Sequence, residues 1–338
     1  MAPSRFSDDE FIACWRRLGS PAAVARALDV GIRNVMGRRA RLEERYGIIL
    51  DVVERGKRHS PRSQLPKRGL KAIAENISGT VIVFSDMHVW PGQHKTAAFE
   101  ALKTLIQQLR PRMVVANGDS LDAASISRHP PIGWEQTPSV LDELSAVKEA
   151  HAEIEEVTPD ETDLVYIYGN HCLRFDTRLA MAASEFKGIE GFSLADHLPG
   201  WDFTMLVELN AGTASHTVIK HNYHGGQHAA FNNAVKSGVN IVTGHTHRLQ
   251  TVHWGDYRSF RFGIECGTLC DFQSESPQFA YALGNPLNWS QGFAVLTYQD
   301  GILLEPEFCR VINGQAYFRG ACVINKVMPQ TSVKKRAA

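Results

Sequence analysis

Five short motifs follow one another through the middle of this 338-residue chain: Asp86-x-His88, Gly118-Asp119-x-x-Asp122, Gly169-Asn170-His171, His224-Gly225 and Gly244-His245-Thr246-His247. Their polar side chains are carboxylates, a carboxamide and imidazoles. That donor set suits a borderline-hard divalent cation rather than a thiolate zinc cluster. Asp86 and His88 stand two apart, as do His245 and His247, so each pair points one way on extended backbone. Asp119 follows a glycine, on a turn where backbone can come close to an ion, and is the natural bridge between two cations. Two ions about 3.5–4 Å apart clamp the attacking and leaving oxygens of a phosphoester. A histidine placed like His171 protonates the departing alkoxide. Any one of these motifs is common by chance; their order and shared placement carry the reading.

That placement comes from the elements around them. Thr80–Phe84 runs into Ser85-Asp86, Met113–Ala116 into Asn117-Gly118-Asp119, and Leu164–Tyr168 into Gly169-Asn170-His171. Val218-Ile219 leads towards His221 and His224, and Ile241–Thr243 into Gly244-His245. Short, wholly apolar runs predict strands buried on both faces. Ala97–Leu109 and Val140–Ile154 carry apolar residues at helical spacing and predict amphipathic helices between the strands. Alternating strands and helices bring the loops after the strands to one edge, although the residues lie far apart in sequence. After residue 256 the helical period fades. Ala294–Tyr298, a Gln299-Asp300-Gly301 turn and Ile302–Leu304 predict a hairpin, and Asn313-Gly314 a second one.

These residues resemble the calcineurin-like metallophosphoesterases, whose pattern is D-x-H, G-D-x-x-D, G-N-H-[ED], a later H-G, and G-H-x-H. The resemblance spans about residues 80–250 and implies an α/β fold: two mixed β-sheets packed as a sandwich and flanked by helices. It implies one metal on Asp86, His88, Asp119 and His247, and another on Asp119, Asn170, His224 and His245. His171 becomes the general acid, and Asp122 a support for its turn or for His171. Hydrolysis would proceed through a hydroxide bridging two divalent ions, with manganese expected first and iron or zinc as alternatives. His221 and His228 rival His224 as ligands, but only His224 precedes a glycine as the family pattern asks. Cys172 departs from the pattern, which has an acidic residue after G-N-H; the plainer reading is a small buried side chain. Arg128, His129 and Arg174 lie where a phosphate could be gripped, or where they could form structural ion pairs. Segments 265–270 and 288–293 resemble a phage-encoded branch of the family.

Composition adds a second theme. Net charge is zero, yet residues 1–71 hold sixteen Lys/Arg against eight Asp/Glu, so a head of charge +8 sits on a body of −8. Asp8–Leu18, a Ser20-Pro21 helix start, an Asp29-Val30-Gly31 turn and an Arg-rich helix Ile32–Tyr46 predict a small all-α N-terminal domain like a helix-turn-helix. Arg33, Arg38, Arg39 and Arg41 are its candidate DNA contacts; the plain alternative is a helical bundle with a basic face. The expected organisation is a head at 1–50, a basic linker at 51–76, a catalytic domain at 77–325 and a disordered basic tail at 326–338. No apolar run suits a membrane span or a secretory signal, so a cytoplasmic protein of a bacterium or phage-infected host is expected, with no membrane partner. Six scattered cysteines without a C-x-x-C pair fit reduced thiols. No Walker loop or strand-linked G-x-G-x-x-G is present, which disfavours nucleotide-driven or nicotinamide chemistry. The expected activity is therefore a phosphodiesterase or nuclease acting on DNA. The alternatives are a phosphomonoesterase localised by its head, and a DNA-binding regulator with a degenerate metal site.

Overall fold

The computed structural model describes residues 6–18, 21–50, 64–93, 95–129, 137–257, 259–272, 279 and 288–325. The chain divides into a unit of residues 1–59 and a unit of residues 60–338.

The first unit is helical: α1 (Asp8–Leu18), α2 (Pro21–Leu28) and α3 (Ile32–Tyr46). Ser7 and Glu10 form a reciprocal cap at the start of α1: the Glu10 backbone N–H donates to the Ser7 hydroxyl, and Ser7 N–H to the Glu10 carboxylate. The cap expected at Ser20 lies outside the described residues. Asp29 turns the chain between α2 and α3 at φ 52°, and Gly47 ends α3 at φ 61°. Phe11, Trp15, Val24, Val35, Leu42 and Leu50 close the core.

Two of the four arginines expected to read DNA have other work. Arg38 donates to the Phe6 carbonyl and to Asp8, both at 2.8 Å, and its guanidinium lies over the Phe11 ring. Arg39 donates to Glu43 at 3.0 Å and lies over Trp15. Their side chains are only 16% and 20% exposed. Planar guanidinium groups stack on aromatic rings and pair with carboxylates at once, which suits them to seal this small core. Arg33 and Arg41 remain exposed on α3, with Asn34 beside Arg33.

The second unit is a sandwich of two mixed sheets. Its strands are β1 (Lys67–Arg68), β2 (Lys71–Ala74), β3 (Gly79–Phe84), β4 (Met113–Asn117), β5 (Asp163–Ile167), β6 (Asp202–Thr204), β7 (Leu206–Leu209) and β8 (Thr217–Ile219). They continue with β9 (Asn240–Thr243), β10 (Leu249–Gly255), β11 (Phe260–Cys266), β12 (Gly292–Gln299), β13 (Ile302–Leu303), β14 (Glu307–Ile312), β15 (Gln315–Phe318) and β16 (Ala321–Ile324). One sheet has the order β1-β2-β7-β8-β9-β11-β10. The other runs β16-β15-β14-β12-β3-β4-β5-β6, with β13 beside β12.

Residue alternation builds both layers of core. Val81, Val83, Met113, Val115 and Val165 face the other sheet and meet Val207, Ile219, Val242 and Ile264. Their neighbours Ile82, Phe84, Val114, Ala116 and Leu164 face outward and pack with residues of α4 (Ala97–Leu109) and α5 (Val140–Val157). Strands covered on both faces cannot alternate apolar with polar residues, which is why their sequences read as unbroken apolar runs. β3, β4 and β5 pair in parallel, as do β8 with β9 and β9 with β11. Both predicted hairpins form, with Asp300-Gly301 and Asn313-Gly314 at positive φ in their turns.

The expected linker needs correction. Residues 51–63 lie outside the described residues, but Lys67–Ala74 are strands of the sandwich, β2 pairing in parallel with β7. Ala72, Ile73 and Ala74 are buried, while Lys67 pairs with Asp202 at 2.6 Å and Lys71 with Glu208 at 2.7 Å. An edge strand carrying lysines looks like a basic tether until its carboxylate partners, more than a hundred residues away, are known. The expected tail, 326–338, lies outside the described residues.

Candidate metal centre

The loops after β3, β4, β5, β8 and β9 converge on one rim. Three sets of side chains bring their ligand atoms within 4.8 Å of one another: Asp86, His88 and His247; Asp119, His221 and His245; and His88, Asp122 and His171. Asp86, His88, Asp119, His245 and His247 all have positive φ, between 41° and 67°. Non-glycine residues rarely adopt that conformation, and a cluster of them marks a site whose surroundings impose the shape. Glycines give the room. A Cβ on Gly169 would fall inside the Asp119 carboxylate, and one on Gly244 would fall on the Ser85 hydroxyl.

The surrounding polar groups fix each candidate ligand. Asp119 Oδ1 accepts the His171 N–H at 2.8 Å and the Cys172 N–H at 3.3 Å, while Oδ2 lies 2.9 Å from His221 Nε2. Asn170 Oδ1 lies 3.2 Å from the same His221 nitrogen. His221 Nδ1 is 2.8 Å from the Asn117 carbonyl, so that nitrogen carries the proton and Nε2 faces the carboxylate and carboxamide. Asp86 Oδ2 accepts from the Ser85 hydroxyl and, at 2.9 Å, from the His245 N–H. Its other oxygen is buried without a hydrogen bond and faces His247 Nε2 at 3.1 Å and His88 Nε2 at 3.7 Å.

A buried carboxylate oxygen facing imidazole nitrogens fits a bound cation, and so does the charge balance. Burial resists charge on every group here, yet Asp86, Asp119 and Asp122 are all held well below the usual carboxylate range by neighbouring histidines. Burial likewise opposes a charge on His88 and His221, but the carboxylates drive them up to about 10 and about 9. The cluster demands positive charge, and a divalent ion answers that demand without protons.

Asp122 Oδ1 lies 2.5 Å from His171 Nδ1 and 3.3 Å from His88 Nδ1. Arg174 Nη1 donates to the Asp122 carbonyl at 2.9 Å, and Nη2 lies 3.4 Å from His171 Nε2. The carboxylate steadying His171 is thus Asp122, not a residue after the G-N-H motif. Cys172 occupies that place as a buried thiol, its Sγ 3.0 Å from the Gly169 N–H. Burial and the Asp119 charge push it up to about 12.

Three expected residues fall elsewhere. The structure places His221, not His224, beside Asp119 and Asn170. His221 comes two residues after β8 and meets the end of the parallel β9, where Gly244 donates to its carbonyl at 2.9 Å. Three residues further on, the chain has left the rim: the His224 N–H donates to Asn233 of α6 (Ala229–Ser237), and its ring lies against Tyr223. The H-G pattern counts residues, whereas the end of the strand decides which histidine reaches the rim. Arg128 and His129 are exposed beyond a short 3-10 turn at 124–126, with Arg174 alone of the three beside His171.

Sequence reading also missed Glu265 and Glu143. Glu265, fully buried at the end of β11, accepts from the Thr246 hydroxyl, the Gln250 amide and, at 3.1 Å, Arg248. It grips the loop between His245 and His247. Glu143, on α5, accepts the N–H groups of Ala123 and Ala124 at 2.5 and 3.0 Å, just past Asp122. Burial and the Asp122 charge push Glu143 up to about 7. Neither belongs to a ligand motif, although Glu265 opens segment 265–270; a carboxylate among apolar neighbours was the available signal.

No protein-family model matches the chain. The "Gene 54 protein" of Mycobacterium phage D29 is 24% identical over 262 residues, covering 71% of this chain and 96% of the relative. Among solved structures, Vps29 of Entamoeba histolytica complexed with zinc aligns at 14% identity with TM-score 0.38, over 72% of this chain and 99% of that one. Pseudomonas putida nuclease MPE aligns at 11% identity with TM-score 0.29, over 70% of this chain and 86% of that one. Among the described residues, no helix is long and apolar enough to cross a membrane.

Proposed function

We propose that this chain is a divalent-metal-dependent phosphoesterase of the calcineurin-like kind, hydrolysing phosphodiesters of DNA. The observation that carries the reading is the pairing of two ligand sets around Asp86 and Asp119 on one rim, with His171 beside them. Asp86, His88 and His247 would hold one ion. Asp119, His221, His245 and the Asn170 carboxamide would hold the other, with Asp119 shared. When bound, such a pair supplies Lewis-acid polarisation of the phosphoryl group and a more acidic water. Mixed nitrogen and oxygen ligation suits manganese, iron or zinc.

The chain's own residues do the rest. Asp122 orients His171 through Nδ1, so that Nε2 is the nitrogen that would pass a proton to the leaving oxygen once the ring is doubly protonated. Arg174, tied to the Asp122 carbonyl, keeps a guanidinium at that same edge for a phosphate oxygen. The head supports DNA as substrate: Arg33, Asn34 and Arg41 lie exposed on α3, following a short turn. Arginine and asparagine are the side chains that pair with base edges and phosphates.

Incubating the manganese-loaded protein with duplex DNA, single-stranded DNA and 4-nitrophenyl phosphate tests the reading. Cleavage of DNA is expected. Turnover of the monoester alone would replace it with the phosphatase reading, and turnover of neither would leave the DNA-binding regulator.

A further inference from the structure

Segments 265–270 and 288–293 stood apart from the ligand motifs in sequence, yet they form the floor beneath them. Thr268 and Gln291 make an isolated parallel bridge, with Thr268 N–H to the Ser290 carbonyl at 3.2 Å and Gly292 N–H to the Thr268 carbonyl at 3.0 Å. From this bridge the bonds reach the ligand loops. The Thr268 hydroxyl donates to the Asp86 carbonyl at 2.7 Å, Leu269 N–H to the Ser85 carbonyl at 3.2 Å, and Ser290 N–H to the His247 carbonyl at 2.8 Å. This fixes the next residue back, Trp289, against the site. Its ring centroid lies 4.2 Å from that of His247 at an interplanar angle of 60°.

Trp289 is half-buried and gathers two more rings. Phe272 meets it at 5.5 Å and Phe279 at 5.4 Å, both edge to face, and Phe279 also meets His88 at 6.2 Å. Among the described residues no ring is stacked parallel on the indole. A partly exposed indole beside a phosphoester site, rigidly backed and with no parallel ring on it among the described residues, is a platform for a planar group.

We propose that Trp289, backed by Phe272 and Phe279, stacks on the nucleobase next to the scissile phosphate, so that the site selects nucleoside phosphoesters over aliphatic ones. The proposal rests on the phosphoesterase reading and names its substrate class. Stacking on an aromatic ring is tolerant of base identity, so Trp289 confers selectivity for a nucleotide without reading sequence.

A binding measurement keeps this separate from turnover. Calorimetric titration of the manganese-loaded protein with thymidine 5′-monophosphate and with 2-deoxyribose 5-phosphate compares ligands that differ by the base. The nucleotide is expected to bind about tenfold tighter. In Trp289→Ala that ratio should fall towards one, and in Trp289→Phe it should stay in between. Equal affinities in the unaltered protein, or an unchanged ratio in Trp289→Ala, would overturn the proposal. So would loss of both ligands together, which would show that Trp289 only supports the metal centre. If the protein binds with the expected ratio but hydrolyses no ester, the phosphoesterase reading fails and the nucleotide platform stands.

Discussion

His221 Nε2 lies 2.9 Å from Asp119 Oδ2, and its other ring nitrogen is held by the Asn117 carbonyl at 2.8 Å. The tautomer is therefore set, and the other nitrogen is aimed at the Asp119 carboxylate, where a cation would sit. His224, three residues on, is turned towards Asn233. His221→Ala is expected to lose one of two bound metal ions, and His224→Ala to keep both. Metal content of the purified proteins, measured by plasma mass spectrometry, decides it; the reverse pattern would return the ligand to His224.

Asp122 couples the two halves of the proposed chemistry, since one of its oxygens serves both His171 and His88. Carboxylates that orient a ligand or an acid in this way are typically worth about 10- to 100-fold in affinity or activity. Asp122→Asn should therefore lower kcat on a diester by that range. His171→Ala should cost more, about 10²- to 10⁴-fold. Steady-state rates at saturating manganese test both, and an unaffected Asp122→Asn would remove the coupling.

The head offers a contrast between arginines of the same helix. Arg38 seals the core against Asp8 and Phe11, so Arg38→Ala should lower the melting temperature of the full chain's helical transition. Arg33→Ala and Arg41→Ala should leave that transition in place. Instead they should weaken DNA binding and reduce the slope of log affinity against log salt by about one each. Fluorescence anisotropy with a labelled duplex at several salt concentrations reads the slope. A slope unmoved by both would exclude α3 as the DNA contact.

Glycine at 169 is demanded by packing. Any Cβ there meets the Asp119 carboxylate, which the His171 N–H and His221 hold in place, and the Asp119 backbone nitrogen at 2.8 Å. Gly169→Ala should destabilise the fold by about 1–3 kcal/mol, as overpacking does, and should weaken metal binding with it. Urea unfolding with and without manganese measures both effects.

His151 is buried against Trp201 and Tyr166, with Nε2 3.0 Å from the Ser120 hydroxyl. Burial first, and the Lys95 charge second, push it down to about 3. Its ring stays neutral in the fold while the unfolded chain takes up a proton below its ordinary value of 6.5. The stability it contributes is thus whole above that value and is lost as pH falls towards 3. The loss approaches about 1.4 kcal/mol per pH unit well below 6.5. Urea unfolding from pH 7 to 5 should show a shallower decline in His151→Gln; equal slopes would contradict the burial argument.

The sandwich was legible because strands buried on both faces leave wholly apolar runs, and the ligand motifs because each follows such a run. Asp86, His88, Asp119, Asn170, His245 and His247 lie within a few residues of a strand end, so sequence distance and spatial placement agree. His221 lies as close, but the glycine after His224 drew the assignment away. Glu265 and Trp289 lie in the two segments that resemble a phage-encoded branch, which marks them without giving their roles, and Glu143 lies in no motif. What each does is set by a partner elsewhere in the chain: Gln250 for Glu265, Ala123 for Glu143 and His247 for Trp289. The same holds for Arg38, whose helical position looked like a recognition surface until Asp8 and Phe11 were seen to claim it.

The proposed chemistry needs two cations on one rim. Anomalous diffraction from crystals of the manganese-loaded protein tests this most directly. Two peaks are predicted about 3.5–4 Å apart, one among Asp86, His88 and His247, the other among Asp119, His221, His245 and Asn170. No peak at this rim, or a single ion held without Asp119, would contradict it.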